Sequence, residues 1–159
     1  MALRYLFLFI LILFLFGCPP GPQRMYSGPR LEPAKESTIR VQDPTGDKKL
    51  RIVLVDAKTT VGFFKRMFTG WAVEVKVPPG KHDVRLIFNA GLFQGWGDLW
   101  IVTCPGKTYI AKWLIQGYQG QMWFEEKETG KRVGGNHGSS DEPQKKDISC
   151  DPEKEKTKL

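Results

Sequence analysis

Side chains that could act in catalysis are few in this sequence and far apart. His137 lies near two serines and Asp141, so the residue types of a nucleophilic triad occur together. A triad needs rigid geometry, however, and this polar stretch is predicted to be disordered. The other histidine, His82, precedes Asp83 at a predicted turn, where a hydrogen bond that fixes the turn is favoured over catalysis. We therefore predict no catalytic residue.

Metal and phosphate sites are disfavoured as well. Two distant histidines without a Cys-x-x-Cys pair do not supply the usual ligands of zinc. Pro105-Gly106-Lys107-Thr108 has the ending of a phosphate-binding P-loop, but Ile101 stands where the leading glycine is required. The scattered aspartates fall in predicted turns, where local hydrogen bonding favours this residue. The sequence thus predicts a protein that is not an enzyme and has no metal or other cofactor.

The amino terminus has the pattern of an export signal. Arg4 is followed by an uninterrupted apolar stretch, residues 5–16, and then by Gly17. A cation, an apolar core and a small residue at the cleavage point are typical of a secretory signal peptide. As a helix, the stretch would rise about 18 Å, short of the roughly 30 Å hydrocarbon core of a bilayer. We predict a signal peptide over residues 1–17 rather than a permanent membrane span.

The residues at the predicted cleavage point, Leu15-Phe16-Gly17-Cys18, resemble the lipobox of bacterial lipoproteins. This resemblance implies that the Cys18 thiol receives a diacylglyceryl group, that cleavage precedes Cys18, and that its new amino group is acylated, for example with palmitate. Two or three acyl chains anchor a protein stably where one does not. Because no acidic residue directly follows Cys18, the resemblance also favours the outer membrane, with the protein facing the periplasm. The alternative is an ordinary cleaved signal followed by an unmodified cysteine.

Two cysteines, Cys104 and Cys150, remain once Cys18 is lipidated. An even number of cysteines in an oxidising compartment favours a disulfide, which would attach the carboxyl-terminal region to the end of a predicted strand. The alternative is a pair of free thiols, with Cys104 in the core and Cys150 in solvent.

Composition divides the mature chain into three parts. Residues 18–37 hold five prolines and almost no large aliphatic residue, which predicts a lipidated flexible tether. Residues 134–159 contain no aromatic residue and cannot bury enough apolar surface to order themselves, which predicts a disordered polar tail. The folded β-domain is then expected over residues 38–133.

Apolar and polar residues alternate with a period of two in that domain. Residues 71–77 and 82–88 show the pattern most clearly and flank Pro78-Pro79-Gly80-Lys81, so we predict a β-hairpin there. Further strands are predicted at 38–42, 50–56, 98–104, 108–115, 121–127 and 131–133. This spacing predicts an all-β fold, a small antiparallel β-sandwich or open barrel of about seven strands. Residues 59–70 are predicted to form a short helical insertion.

A second resemblance covers roughly residues 18–133. Its motifs, in chain order, are Tyr26-Ser27-Gly28-Pro29, Val55-Asp56-Ala57, Pro79-Gly80-Lys81-His82 and Gly106-Lys107-Thr108-Tyr109. The set resembles small uncharacterised bacterial lipoproteins, in which a Tyr-x-Gly-Pro tether precedes a Val-Asp-Gly turn, a Pro-Gly-x-His hairpin and a Gly-Lys-x-Tyr strand. Ala57 replaces the glycine of that turn. The hairpin is also similar to one in the PEGA class of surface β-domains. The resemblance implies a periplasmic β-domain without a particular activity.

Aromatic residues and glycines concentrate in two segments of the predicted domain, residues 89–100 and 116–123. The aromatic residues of interest are Phe93, Trp96, Trp100, Tyr118 and Trp123. Exposed aromatic side chains beside amides stack on sugar rings or anchor protein interfaces. These five residues therefore form the candidate binding surface. The alternative is that the tryptophans fill a small core around tight turns.

The net charge and the predicted export together limit the kinds of partner that the protein is expected to bind. The formal net charge of +7 suits contact with anionic envelope polymers such as lipopolysaccharide or peptidoglycan, although a lysine-rich soluble surface would give the same value. Nucleic acid is disfavoured because export separates the protein from it. We expect a membrane-anchored periplasmic lipoprotein that is an accessory or protein-binding module of the cell envelope. The alternatives are a glycan- or lipopolysaccharide-binding domain and an inhibitor of a host hydrolase such as lysozyme.

Overall fold

The alternating sequence pattern forms strands through most of the described chain. The computed structural model describes residues 22–42, 49–62, 66, 70–116, 119–142 and 150, and the predicted signal peptide and Cys18 lie outside these ranges. A short 3₁₀ helix, Pro33–Lys35, accompanies the strands. The strands are β1 (Gln23–Arg24), β2 (Ser37–Val41), β3 (Lys49–Val55), β4 (Lys58–Thr59), β5 (Glu74–Val77), β6 (Gly80–Ala90), β7 (Phe93–Thr103), β8 (Thr108–Gln116), β9 (Gln119–Glu126), β10 (Arg132–Val133) and β11 (Gly135–Asn136).

The strands form two sheets that pack face to face. Sheet A has the order β1-β5-β2-β8-β9-β10, and sheet B has the order β11-β7-β6-β3-β4. The inner faces share one core, in which Ile39, Phe124, Leu86 and Ile101 are completely buried. The predicted all-β fold is confirmed as a two-sheet sandwich rather than a closed barrel. Two of the pairings, β1 with β5 and β2 with β8, are parallel rather than antiparallel.

The hairpin predicted across Pro78 and Pro79 does not form. β5 pairs with β1 and β2 in sheet A, whereas β6 pairs with β3 and β7 in sheet B. The chain therefore crosses from one sheet to the other between Val77 and Gly80. The prediction was wrong because alternation identifies a strand but not its partner. Consecutive prolines suit this crossing, since they fix φ and have no N–H to donate to a ladder.

His82 fixes the crossing from inside the sandwich. Its buried ring places Nδ1 2.7 Å from Oδ2 of Asp56 and Nε2 2.7 Å from the carbonyl oxygen of Pro78. The Thr103 hydroxyl donates to the same Pro78 carbonyl at 3.2 Å. His82 thus joins the crossing to the β3–β4 turn.

Residues 22–37, which were predicted to belong to the flexible tether, are part of the folded domain. β1 adds to the edge of sheet A, and the Met25 side chain is buried in the core. The Met25 N–H donates to the carbonyl of Lys76 at 2.8 Å. The prediction was wrong because these contacts are made with residues distant in sequence, which local composition does not reveal.

The Tyr26 side chain closes the loop that follows β1. Its hydroxyl donates to the carboxylate of Glu36 and accepts the N–H of Leu31 at 3.1 Å. Glu36 is buried, and Nζ of Lys76 lies 2.8 Å from its second oxygen. The Lys76 ammonium, followed by the Tyr26 hydroxyl, lowers the pKa of the Glu36 carboxyl. The Tyr-Ser-Gly-Pro motif therefore belongs to a structural clasp at the edge of the sandwich.

The helical insertion predicted at residues 59–70 is not confirmed. The structure describes positions 59–62, 66 and 70 of this segment, and the others lie outside the described residues. β4 occupies its start. The N–H groups of Arg66 and Gly70 donate to carbonyls four residues earlier, at 2.9 and 3.0 Å.

Two long hairpins form turns at the end of the sandwich. The β6–β7 pairing continues to Ala90 and Phe93, and the β8–β9 pairing continues to Gln116 and Gln119. Gly91, the first residue of the β6–β7 turn, has a φ of 65°, as the first central position of a type II′ turn requires. The hairpins lie in opposite sheets, so their turn ends face each other across the core.

Gly95 makes room for the aromatic packing between these hairpins. It lies directly opposite Phe88 in the β6–β7 ladder, and the Phe88 ring fills the space that a Cβ of residue 95 would occupy. The same ring stacks on Trp113 of sheet A, with centroids 5.6 Å apart. Part of the glycine-rich pattern is therefore explained by core packing.

Gly95→Ala is expected to lower the free energy of unfolding by about 1–3 kcal/mol, the usual cost of overpacking a core. The added methyl group would overlap the Phe88 ring, and urea unfolding measures the loss. Gly120→Ala is the matched control, because its Cβ would lie 3.5 Å from the same ring, an ordinary contact. Equal stability of the two variants would contradict this packing.

The β3–β4 turn places two non-glycine residues in the left-handed region. Asp56 has a φ of 50° and Ala57 a φ of 61°, as both central residues of a type I′ turn do. Asp56 is held there because its Oδ1 accepts the Asp83 N–H at 3.0 Å. Ala57 has no side-chain hydrogen bond that could hold it there, and the left-handed conformation costs an alanine about 1–2 kcal/mol.

Ala57→Gly is expected to raise the free energy of unfolding by about 0.5–1 kcal/mol, because relief of strain exceeds the added freedom of the unfolded chain. Chemical denaturation with the disulfide intact measures the change. Ala34→Gly, in the 3₁₀ helix, is the control and should lower stability, since the unfolded-state effect alone remains. A loss of stability in both variants would contradict the turn geometry.

Candidate binding surface

The fold separates the three tryptophans of the candidate binding surface. In β7 the inner positions are those of buried Leu99 and Ile101, so Trp96 and Trp100 lie on the outer face of sheet B. Trp123 lies on the outer face of sheet A, next to buried Phe124. For Phe93 the structure describes the backbone within β7 but not the side chain, and Tyr118 lies outside the described residues. The set therefore does not form one site.

Trp96 is the well-exposed member of the set, with 69% of its surface in solvent. Its ring lies over the guanidinium of Arg85, 5.3 Å from the ring centroid. Arg85 in turn donates from Nε and Nη2 to the two oxygens of Asp98, at 2.6 and 2.9 Å. This bidentate pair orients the guanidinium plane, and Arg85 lowers the pKa of Asp98. We call these three residues the Trp96 platform.

Trp100 is covered by the segment that was predicted to begin the disordered tail. It is 8% exposed, because β11 pairs with β7 and Gly135 packs against the indole. The indole Nε1 donates to Oγ of Ser139 at 3.1 Å. The tail prediction was wrong for residues 134–142, which we call the strap, because Trp100 supplies the apolar surface that the strap lacks. Residues 143–149 and 151–159 lie outside the described residues.

Trp123 faces away from the Trp96 platform, on the other side of the sandwich. The Arg132 guanidinium lies 5.3 Å from its ring centroid, and its Nε1 donates to Oε1 of Glu125 at 2.8 Å. Glu125 also pairs with Lys112, and that ammonium, followed by the Trp123 indole, lowers the pKa of the carboxyl. Trp96 and Trp123 cannot contact the same small ligand.

An open groove of about 620 Å³ lies on the outer face of sheet B. Arg85 and Asp98 form part of its wall, so the Trp96 platform borders it directly. Leu54 contributes apolar surface, and Asp83 and His137 contribute polar groups from β6 and from the strap. The groove thus combines an aromatic platform with hydrogen-bonding groups.

A cluster beside the groove has ligand types that metals use. One ligand atom each from Asp83, His137 and Glu142 lies within 4.8 Å of the others. The Lys81 ammonium donates to Glu142 and lies 4.0 Å from Oδ1 of Asp83. Lys81, followed by the Gly138 N–H, lowers the pKa of Glu142 to about 2. A lysine therefore already supplies the positive charge that a metal ion would bring to these carboxylates.

The structure brings Cys104 and Cys150 together in a disulfide, with Cα atoms 5.4 Å apart. Cys104 directly follows β7, so the bond holds the chain beyond the strap at the end of that strand. Closing a loop of this length, 46 residues in sequence separation, stabilises a fold by about 4 kcal/mol in the chain-entropy account. The bond and the strap together attach residues 134–142 and Cys150 to sheet B.

Comparison with known proteins identifies no relative: no family model, curated protein or solved structure matches the chain. Within the described ranges, no helical segment has the length and apolar character needed to cross a bilayer. The assignment of binding surfaces therefore depends on the geometry of the chain itself.

The polar partners of the exposed tryptophan could not be predicted from the sequence. Arg85 and Asp98 lie directly opposite each other in the β6–β7 ladder, and opposite charges in that relation stabilise a sheet. This signal can be recognised only after the strand register is known. His137 and Glu142 were missed for a different reason, because the segment that carries them was predicted to be disordered.

Acid is expected to release the strap. The pKa of Glu142 is lowered from 4.5 to about 2 in the fold, so the carboxylate stabilises the strap fully above pH 4.5 and loses this effect as the pH falls toward 2. The indole N–H resonance of Trp100, bonded to Ser139, reports the release. Glu142→Gln should weaken the strap at neutral pH and remove the acid transition. An unchanged Trp100 resonance in both proteins down to pH 2 would contradict this role.

Proposed function

We propose that the chain is a lipid-anchored protein of the bacterial cell envelope, held in the outer membrane by Cys18 and facing the periplasm. Its β-sandwich is a non-enzymatic accessory module that binds another envelope protein. The signal-like residues 1–17 and the lipobox-like residues 15–18 support the anchor. The Trp96 platform supports the binding role.

The observation that carries the proposed location is the disulfide between Cys104 and Cys150. Disulfides persist in the periplasm and other oxidising compartments and are rare in a reducing cytosol. This bond also has a structural purpose, because it holds the chain that follows the strap. Both the export-like amino terminus and the disulfide therefore favour an extracytoplasmic protein.

The observation that favours protein binding is the geometry of the Trp96 platform. Tryptophan and arginine are among the residue types that most often dominate the binding energy of interfaces. Trp96 is exposed, and its contact with Arg85 restricts both side chains before any partner arrives. Such preorganisation reduces the side-chain entropy that is lost on binding. The groove beside it supplies a polar rim.

A non-enzymatic role is supported by the pairing of ionisable groups near the groove. Asp98 is paired with Arg85, and Glu142 is paired with Lys81, so the pKa of each carboxyl is lowered. General acid–base catalysis needs a group whose pKa lies near the working pH, which these carboxylates do not provide. Both ring nitrogens of His82 are engaged in structural hydrogen bonds.

Glycan binding is the second candidate function, and the groove beside Trp96 favours it. An exposed indole can stack on the apolar face of a sugar ring. Asp83 and His137, which line the groove, can hydrogen-bond to hydroxyl or amino groups of the same sugar. Binding of a charged polymer through exposed groups would weaken with salt, whereas an apolar protein interface would not.

Site-specific cross-linking in the native envelope distinguishes these functions. A photoreactive amino acid is placed at position 96 of the full chain, and position 123 on the opposite sheet is the matched control. We expect one discrete protein product at position 96 and none at position 123, identified by mass spectrometry. Cys18→Ala should remove the product, because the chain then leaves the membrane.

Other outcomes of the cross-linking would change the conclusion. Peptidoglycan or lipopolysaccharide fragments at position 96, released by salt, would favour glycan binding instead. Equal products at positions 96 and 123, or a product that does not depend on Cys18, would contradict the proposal. For a purified partner, Trp96→Ala is expected to weaken binding by about 2 kcal/mol or more, as at other interface hot spots.

A further inference from the structure

The outer edge of β7 is only partly covered by the chain itself. β7 pairs with β6 along its whole length. On its other side it pairs with β11 at Trp100 and Leu99, and the His137 N–H then donates to the Asp98 carbonyl at 2.9 Å. In the described part of the chain, no strand lies beside residues 94–97 on that side. We call residues 94–97 the free edge.

The main-chain groups of Gln94 and Trp96 point away from β6 along the free edge. The N–H and C=O groups of successive residues in a strand point alternately to its two neighbours. Because the Asp98 carbonyl accepts the His137 N–H, Asp98 faces the β11 side, and Trp96 and Gln94 face that side as well. Each of them presents an N–H donor and a C=O acceptor there. An extended polypeptide has complementary groups at the same spacing, whereas a sugar chain or a lipid does not.

The free edge lacks the features that keep an exposed strand from pairing. Natural proteins place lysine, proline, an inward-pointing charge or a bulge at such edges. The residues of the free edge, Gln94-Gly95-Trp96-Gly97, include neither a charge nor a proline, and their register with β6 is regular. β11 pairs with the next part of the same edge, so this edge accepts an extended segment. One more segment can therefore pair beside it.

Trp96 lies where an added strand would contact it. Residues directly opposite each other in a ladder have their side chains on the same face of the sheet, so the residue opposite Trp96 would lie beside the indole on the outer face. Arg85 belongs to β6, on the other side of β7 from the free edge, and its contact leaves 69% of Trp96 exposed. An added strand would therefore gain a contact with the Trp96 platform as well as main-chain hydrogen bonds.

The glycines of the free edge indicate what an added strand carries on its inner face. Gly95 and Gly97 alternate with Trp96, so they occupy inner positions without a side chain. The methyl group of Met122, from sheet A, lies 2.7 Å from the position of a Cβ on residue 97, and Met122 packs against the core. A side chain opposite Gly97 would point inward beside Met122, where a charge would be costly. The matching segment therefore has an apolar residue at this position.

We infer that the partner of the Trp96 platform is a protein that adds an extended segment to the free edge, as a further strand of sheet B. This inference rests on the protein-binding role proposed above and specifies the kind of partner. The segment lies in line with β11, beyond His137, and pairs with the main chain of Gln94 and Trp96. Main-chain hydrogen bonds supply affinity, and the contacts with Trp96 and Met122 supply specificity. Because β6 already holds β7 as a strand, little conformational entropy of this chain is lost on binding.

The test removes one N–H from the free edge. Gln94→Pro deletes an N–H that points away from β6, a position at which an edge strand tolerates proline, and the proline ring obstructs an approaching strand. Gln94→Ala removes the same side chain but keeps the N–H, so it is the reference for this substitution. Circular dichroism establishes that the variants are folded.

Gly120→Pro is the matched control on sheet A. The Glu126 N–H donates to the Lys131 carbonyl on the β10 side, so residue 120, six positions earlier in β9, also faces away from β8. β10 pairs with Glu125 and Phe124 and does not reach Gly120. The control therefore removes an N–H of the same kind from the edge of the other sheet.

Each substitution is placed in the full chain that carries the photoreactive amino acid at position 96, and cross-linking is carried out in the native envelope. We expect the yield of the protein product to be about tenfold lower with Gln94→Pro than with Gln94→Ala, since a main-chain hydrogen bond is lost and its acceptor is left unpaired. Gly120→Pro should leave the yield unchanged.

Hydrogen exchange of main-chain amides is a second measurement, and it needs no substitution. In the purified full chain, the amides of Gln94 and Trp96 should exchange quickly, whereas those of Gly95 and Gly97, which face β6, should exchange slowly. In the detergent-extracted complex that copurifies with the tagged chain, exchange at Gln94 and Trp96 should slow at least about tenfold, because hydrogen-bonded amides exchange only when the structure opens. The amide of Gly120 should not change.

The outcomes separate strand addition from the protein-binding role. If the chain without these substitutions gives no protein product at position 96, the protein-binding role is wrong and this inference with it. A product of equal yield with Gln94→Pro and Gln94→Ala, or unchanged exchange at Trp96 in the complex, overturns strand addition and leaves the protein-binding role standing. Loss of the product with Gly120→Pro alone would place the added strand on sheet A, and a product that contains a second copy of this chain would show self-association. Either result overturns the inference.

Discussion

The change of sheet between β5 and β6 is the constraint on which the rest of the structure depends. Val77 completes a strand of sheet A, Gly80 begins a strand of sheet B, and His82 holds the crossing through Asp56 and the Pro78 carbonyl. Because β5 and β6 are divided in this way, the β6–β7 and β8–β9 hairpins lie in opposite sheets. Their turns meet at one end of the sandwich, and the crossing, the β3–β4 turn and the disulfide lie toward the other.

This arrangement gives the two ends different surfaces. Near the crossing, hydrogen bonds and ion pairs tie the loops to one another: Glu36 pairs with Lys76, and the Tyr109 hydroxyl accepts the N–H of Cys104 at 2.8 Å. Together with the disulfide, these contacts order the loops and the strap. Toward the other end, where the turns of the two long hairpins meet, the side chains of Leu92 and Leu114 are exposed. The Trp96 platform lies between these two regions.

The strands and the two-layer fold could be predicted from the sequence because inner positions such as Val75 and Leu86 must be apolar whatever their partner strand is. Strand pairing could not, since it depends on the register of both sheets, and the hairpin predicted across the prolines was therefore wrong. The tether and tail predictions were wrong for a related reason: Met25 is held by Lys76 and Gly135 by Trp100, contacts distant in sequence. Because the strand pairing was unknown, the sequence could not show that Trp96 and Trp123 lie on opposite faces of the sandwich.

The most direct test of this organisation is a set of nuclear Overhauser contacts measured on the folded protein. The structure predicts contacts from the Phe88 ring to the Trp113 indole and to the α protons of Gly120, together with main-chain contacts between Ile39 and Val75. Those signals would place the hairpins in opposite sheets with their turns at one end. Main-chain contacts across the prolines that put Val75 opposite His82, without contacts between Phe88 and Trp113, would instead show one continuous hairpin and contradict the account.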